Sequence, residues 1–204
     1  MPRPLTAPRK APTQARSHAT VEAILQATAR LLVKEGYDRL STNRVAAAAG
    51  VSVGSLYQYF PGKESLLAAL ADRHRERMLA LFFERMSGLI DAPPERAARE
   101  MVRALFEADA RERELHRVLT EQAPRIGKLK QLMDSVDQCA ATAVRAYIER
   151  HRAELRVENP ALAAWLIAHA VEAATHAAVL GGAPGDFDEL IEEVSQMVVC
   201  YLRR

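Results

Sequence analysis

An all-α fold is predicted by three features of the chain. Alanine is abundant, while glycine (9) and proline (10) are sparse among 204 residues. Apolar residues recur at spacings of three and four in one stretch after another. No alternating or β-branched run is long enough to make a strand. The length suits one small and one medium domain. The expected division is a basic arm over 1–16, a small head over 17–63 and a helical body over 64–204, with about nine helices in all.

The arm carries four prolines with Arg3, Arg9, Lys10 and Arg16, and is expected to be disordered. Ser17 to Glu35 reads as a helix, with Val21, Ile24, Leu25, Thr28, Leu31 and Leu32 on one face and Gly36 as its stop. Ser41 is a candidate N-cap for a short helix from Thr42 to Ala49, and Gly50 follows where a helix end favours positive φ. Ser52 offers a second cap for a helix through Tyr59, ended by Pro61-Gly62. From Lys63 the residues Leu66, Leu67, Leu70, His74, Met78, Leu81 and Phe82 continue the period to about Ile90, a helix on the order of 40 Å long. Further helices are expected over 94–109, 111–121 and 126–152. Asn159-Pro160 opens another, which runs to about Leu180. Asp186 and Glu189 make a capping-box pair for the last.

Val45, Ala46, Ala49, Val51 and Leu56 are spaced to meet between the two short helices, and the alanines permit close approach. Two helices joined by a tight glycine turn make the helix-turn-helix plan, whose second helix enters a DNA major groove. Its outward residues are Val53, Gly54, Ser55, Tyr57, Gln58 and Tyr59, none acidic. Charge agrees: residues 1–63 hold nine of the 28 Lys/Arg but three of the 26 Asp/Glu, leaving nineteen against 23 in the remainder. A basic amino-terminal third over an acidic body points to nucleic acid at one end. The basic arm is then either a solvated tail or a source of extra phosphate and minor-groove contacts.

The stretch from about Thr20 to Leu70 resembles the TetR family of bacterial transcriptional regulators. The resemblance rests on Ser41, Val45-Ala46, Ala49-Gly50-Val51-Ser52, Gly54, Leu56-Tyr57, Tyr59-Phe60, Lys63-Glu64 and Leu66. It implies that Asn43, Val53, Gly54, Ser55 and Tyr57 approach bases, that Thr42, Gln58, Tyr59 and Lys63 hold phosphates, and that Arg44 and Ser52 belong to the same DNA surface. Val53 departs from the polar or basic residue common there; it can touch a thymine methyl but cannot hydrogen-bond guanine. Asn43 and Gln58 suit adenine, which favours an A/T-containing half-site.

The last two helices are apolar on more than one face, so each must be covered on two sides. A homodimer supplies the second cover, and two heads on a two-fold axis read a palindromic operator in double-stranded DNA. The residues expected at the subunit contact are Trp165, Ala170, Ala173, His176, Ala177, Leu190, Val194, Met197, Val198 and Tyr201.

A regulator needs a signal, and a helical body offers an apolar cavity for a small apolar effector. Candidate lining residues are Phe82, Phe83, Met86, Met101, Leu105, Phe106, Met133, Tyr147, Trp165 and His169. The alternative is a DNA-binding regulator with no small effector, switched by a protein partner. His169, Glu172 and His176 share a helix face, but two histidines and one carboxylate lack a third strong ligand, so no metal and no cofactor is expected. Cys139 and Cys200 lack metal spacing and read as buried thiols. No nucleophile elbow, zinc-protease, Walker or dinucleotide fingerprint is present, which argues against an enzyme. A cytoplasmic protein is expected, with no signal peptide, no membrane-crossing run and association with the nucleoid when bound to DNA.

Overall fold

The computed structural model describes residues 15–122 and 127–203, with side chains over 17–121 and 138–203. The arm over 1–14, the breaker Ala123-Pro124 and the side chains of Arg16 and Met133 therefore lie outside the described residues. Among these residues the chain is helical: α1 (Ala15–Glu35), α2 (Thr42–Ala49), α3 (Val53–Tyr59), α4 (Lys63–Met86), α5 (Pro94–Arg111), α6 (Arg113–Gln122), α7 (Gly127–Arg150), α8 (Pro160–Gly181) and α9 (Phe187–Leu202). The only extended pairing among them is a single antiparallel bridge between Leu155 and Arg203.

The chain divides into two compact units. The first holds the residues up to Arg75 together with Glu114–Met133. Its core is Ile24, Leu32, Leu40, Val45, Leu56, Phe60, Leu66 and Leu70, joined by Leu115, Val118 and Leu119 of α6. One long helix and two short ones bury too little apolar surface to be stable alone. The start of α4 and the apolar face of α6 complete the core.

The second unit holds Glu76–Arg113 and Asp134–Arg204. Phe82, Met101, Val102, Phe106, Ile148, Ile167, Val171 and Val198 lie in its core. Phe106 meets the ring of Phe187 edge to face, with centroids 5.9 Å apart. Local chemistry sets the ends of α8 and α9. Asn159 accepts the Leu162 amide at 3.1 Å ahead of Pro160. Asp186 and Glu189 form both halves of a capping box.

Two sequence expectations are corrected here. α4 ends at Met86, not near Ile90, because Gly88 turns the chain with φ +78°. Leu89 is buried beyond the helix, which prolonged the apolar period without prolonging the helix. In addition, α8 is long and apolar enough to cross a membrane, with 22 residues and mean hydropathy 1.3. Its alanines raise hydropathy without bulk, and 44% of its most apolar window is buried inside the protein.

Candidate functional site

The α2–α3 pair is fixed by its caps. The Ser41 hydroxyl accepts the Arg44 amide at 3.4 Å, and Gly50 adopts φ +67° at the end of α2, where a side chain would be strained. The Ser52 hydroxyl accepts the Ser55 amide at 3.0 Å and opens α3. Val45, Ala46 and Leu56 are buried between the helices. That packing turns Val53, Gly54, Tyr57 and Gln58 outward, with Val53 40% and Tyr57 39% exposed. Asn43 and Arg44 are also exposed, Thr42 and Ser55 are half-buried, and neither helix carries an acidic residue. Tyr59 is half-buried and packs on the head core, leaving less of it outside than an outward residue would have. The Tyr57 and Thr42 hydroxyl oxygens lie 3.1 Å apart, a hydrogen bond that spans the two helices across the exposed surface.

The basic side chains around this surface are held in different ways. Arg44 donates to Glu35 at 2.6 Å and to the Arg39 carbonyl at 3.1 Å. The hydrogen bond from Arg44 holds the Glu35 carboxyl below the usual glutamate range. Arg44 is thus an ion-paired brace from α2 to the end of α1. Arg73 is paired with Glu22 at 3.0 Å. Lys63, by contrast, places its ammonium 4.1 Å from the centroid of the Tyr37 ring. Sequence reasoning missed Tyr37: in Gly36-Tyr37-Asp38 it reads as a turn residue, and only tertiary folding brings it under Lys63.

In the second unit, an apolar cavity of about 30 Å³ is lined by Met86, Pro94, Ala97, Ala98, Met101, Val144, Tyr147, Ile167, Val198 and Leu202. Of the candidate lining residues, Met86, Met101 and Tyr147 reach it. Phe82 and Phe106 are core residues, and Leu105 packs against that core. Phe83 and Trp165 are more than half exposed and point elsewhere. The Tyr147 hydroxyl donates to the Ala92 carbonyl at 2.7 Å, and burial pushes its pKa up to about 12. A second cleft, about 580 Å³ and open, is lined by Arg85, Arg96 and Arg111 together with Glu84, Glu100 and Glu107. Its balanced charges give it no single-sign field.

The outer face of α8 and α9 exposes Leu162, Trp165, Leu166, Phe187, Met197 and Tyr201, with Trp165 52% and Met197 49% exposed. Ala170, Ala173 and Ala177 are exposed on the same helix as Trp165, and His176 is half-buried. Val194 and Val198, expected at a subunit contact, are instead buried in the protomer's own core, and Leu190 is half-buried against it. Helix α9 is apolar on two faces, and its period alone does not say which one turns outward. His169 lies against Trp165 with ring centroids 4.5 Å apart, and its buried Nδ1 has no hydrogen-bond partner among the described residues. Among those residues His169, Glu172 and His176 do not converge as a ligand set. Cys139 is half-buried, and Cys200 is exposed rather than buried.

Two family descriptions match the chain: "Bacterial regulatory proteins, tetR family" over residues 24–70, and "Tetracyclin repressor-like, C-terminal domain" over residues 93–202. The HTH-type transcriptional repressor KstR of Rhodococcus jostii is 35% identical over 102 residues, 50% of this chain and 44% of that protein. The HTH-type transcriptional regulator EthR of Mycolicibacterium smegmatis is 30% identical over 142 residues, 69% of this chain and 65% of that protein. The matched stretches thus span 44% and 65% of these two relatives' own lengths. A TetR transcription regulator from Haloarcula marismortui has the same fold with a TM-score of 0.72 at 22% identity, over 91% of this chain and 100% of that one. The fatty acid degradation regulator FadR from Bacillus halodurans superposes with a TM-score of 0.70 at 19% identity, over 92% and 96%.

Proposed function

The chain belongs to the tetR family of bacterial regulatory proteins, and from that premise we propose that it is a homodimeric, cytoplasmic repressor that grips a palindromic operator through α3. The observation that carries this reading is the outer surface of α2 and α3. It has exposed Val53, Gly54, Tyr57 and Gln58, no acidic residue, and a hydroxyl tie from Tyr57 to Thr42. Such a surface meets the phosphate-lined groove without repulsion and presents polar groups to base edges. Thr42, Gln58, Tyr59 and Lys63 hold phosphates in this reading, while Asn43, Val53, Gly54, Ser55 and Tyr57 face bases. Repression is proposed by likeness to the relative KstR, a transcriptional repressor. The second head comes from a second chain seated on the exposed apolar face around Trp165, Met197 and Tyr201.

The effector in this reading is a small apolar molecule entering beside Met86, Met101 and Tyr147. At about 30 Å³ the cavity is water-sized, well below the few hundred Å³ of ordinary ligand pockets. A ligand must therefore displace the two flexible methionines as it enters. The same small volume favours a second reading, in which a protein partner supplies the signal and no small molecule binds. The test is selection of duplexes from a random pool by the purified chain, followed by thermal-shift screening with and without the selected duplex. A sequence recovered with two-fold symmetry supports the regulator. Failure to enrich any sequence at low salt overturns it. A hydrophobic compound that raises the melting temperature and releases the duplex separates the first reading from the second.

A further inference from the structure

Lys63 is the first residue of α4, and a helix N-terminus is the wrong end for a cation. Nevertheless its ammonium is held in one place, 4.1 Å from the centre of the Tyr37 ring. The way it is held differs from its neighbours. Arg44, Arg73 and Arg75 in the same unit each face a carboxylate, on Glu35, Glu22 and Asp72. A carboxylate fixes a cation but cancels its charge. The face of a neutral ring fixes it through the ring quadrupole and leaves the charge whole. It also occupies only one side of the ammonium, so hydrogen-bond donors remain for an outside acceptor. Tyr37 is itself anchored. It follows Gly36, whose φ of +78° turns the chain out of α1, its carbonyl accepts the Leu40 amide at 3.1 Å, and its ring packs against the head core.

We propose that Tyr37 is the positioning residue for Lys63: its ring holds the ammonium, with charge undiminished, at the point where a DNA phosphate docks. The proposal rests on the reading of the head as a DNA-binding surface. It adds a residue from the α1–α2 turn to a site otherwise built from α2, α3 and the start of α4. Tyr37 acts through Lys63 and need not touch DNA.

The test uses the full chain and a duplex selected by that chain from a random pool. Tyr37→Leu is expected to weaken binding roughly three- to tenfold for a two-headed complex. Lys63→Ala is expected to lower the slope of log affinity against log salt by about one per head. The double variant is expected to bind no more weakly than Lys63→Ala alone. Because Tyr37→Leu also removes core packing, a second series carries phenylalanine and its mono-, di- and trifluoro forms at position 37. These keep the ring's shape while draining its face. Affinity is expected to fall stepwise along the series at constant melting temperature, and to stay flat in the Lys63→Ala background. A flat series with Lys63 present, or losses that multiply in the double variant, overturns the role of Tyr37. If the parent selects no duplex, the DNA-binding reading itself fails. If Lys63→Ala weakens binding while the series stays flat, that reading stands and the present inference falls.

Discussion

The phenol oxygen of Tyr57 lies 3.1 Å from the hydroxyl of Thr42, so the recognition helix is tied to the start of the preceding helix on its exposed side. An exposed neutral hydrogen bond contributes little net stability, about 1 kcal/mol or less. Its value is orientation: it selects one Tyr57 rotamer before DNA arrives. Thr42→Val and Tyr57→Phe should therefore each leave the melting temperature nearly unchanged while weakening the selected duplex about three- to tenfold. In the double variant the share of the loss due to the tie should be counted once, so the two losses should multiply less than fully, which a fluorescence-anisotropy titration measures.

Gly54 gives the opposite signature. Its backbone is ordinary helix, and an added Cβ would meet nothing nearer than the Ser52 hydroxyl at 3.9 Å. Within the fold, alanine is thus the better helix former by up to about 1 kcal/mol. Gly54→Ala should raise the melting temperature slightly and still weaken duplex binding, because in the proposed complex the methyl intrudes where the DNA comes close. Calorimetry and the same titration read the two effects separately.

Arg44 and Glu35 supply a pH test. The Glu35 carboxyl is depressed below its ordinary value, chiefly by the hydrogen bond from Arg44. A depressed carboxyl contributes stability above its unfolded pKa, and that contribution is lost as pH falls through the folded value. The head should thus lose part of its stability below the ordinary glutamate range, and Glu35→Gln should abolish that part of the pH dependence. NMR titration of the Glu35 side chain should show a midpoint below the ordinary glutamate value. With its charge engaged by Glu35, Arg44→Ala should change the salt slope of DNA binding less than Lys63→Ala does.

Tyr147 titrates in the other direction. Burial raises its pKa to about 12, and Glu154 adds to the rise. A raised pKa means the stabilisation is complete below the unfolded value near 10, and is lost as pH climbs toward 12. In ultraviolet titration one of the five tyrosines should ionise late, and Tyr147→Phe should remove that component. Removing the hydroxyl also leaves the Ala92 carbonyl without its donor, at a cost of about 1–2 kcal/mol.

The apolar face of α8 and α9 predicts self-association. Leu162→Arg with Met197→Glu places charge on exposed positions and should leave the protomer folded. Sedimentation should then show a monomer, and duplex binding should fall by at least about tenfold because one head makes too few contacts.

The head was legible in the sequence because its determinants are local. Ser41, Gly50 and Ser52 act on residues no more than five positions away, so their capping roles could be assigned before any fold was known. The apolar period outruns α4 because Leu89 continues it through a turn that Gly88 imposes. Val194 and Val198 pack in the protomer core although α9 is apolar on two faces, because only packing against the body decides between those faces. The pairing of Arg44 with Glu35 and the seat of Lys63 on Tyr37 join residues nine and 26 positions apart. No periodicity carries that information.

Trp165 is the chain's single tryptophan, half exposed on the outer face of α8 with the His169 ring beside it. The molecule therefore contains its own optical gauge. Emission is red-shifted while the indole meets water and shifts to the blue when another apolar surface covers it. If two chains pair on this face as proposed, dilution followed by intrinsic fluorescence reads their exchange directly, with no dye attached and no residue altered.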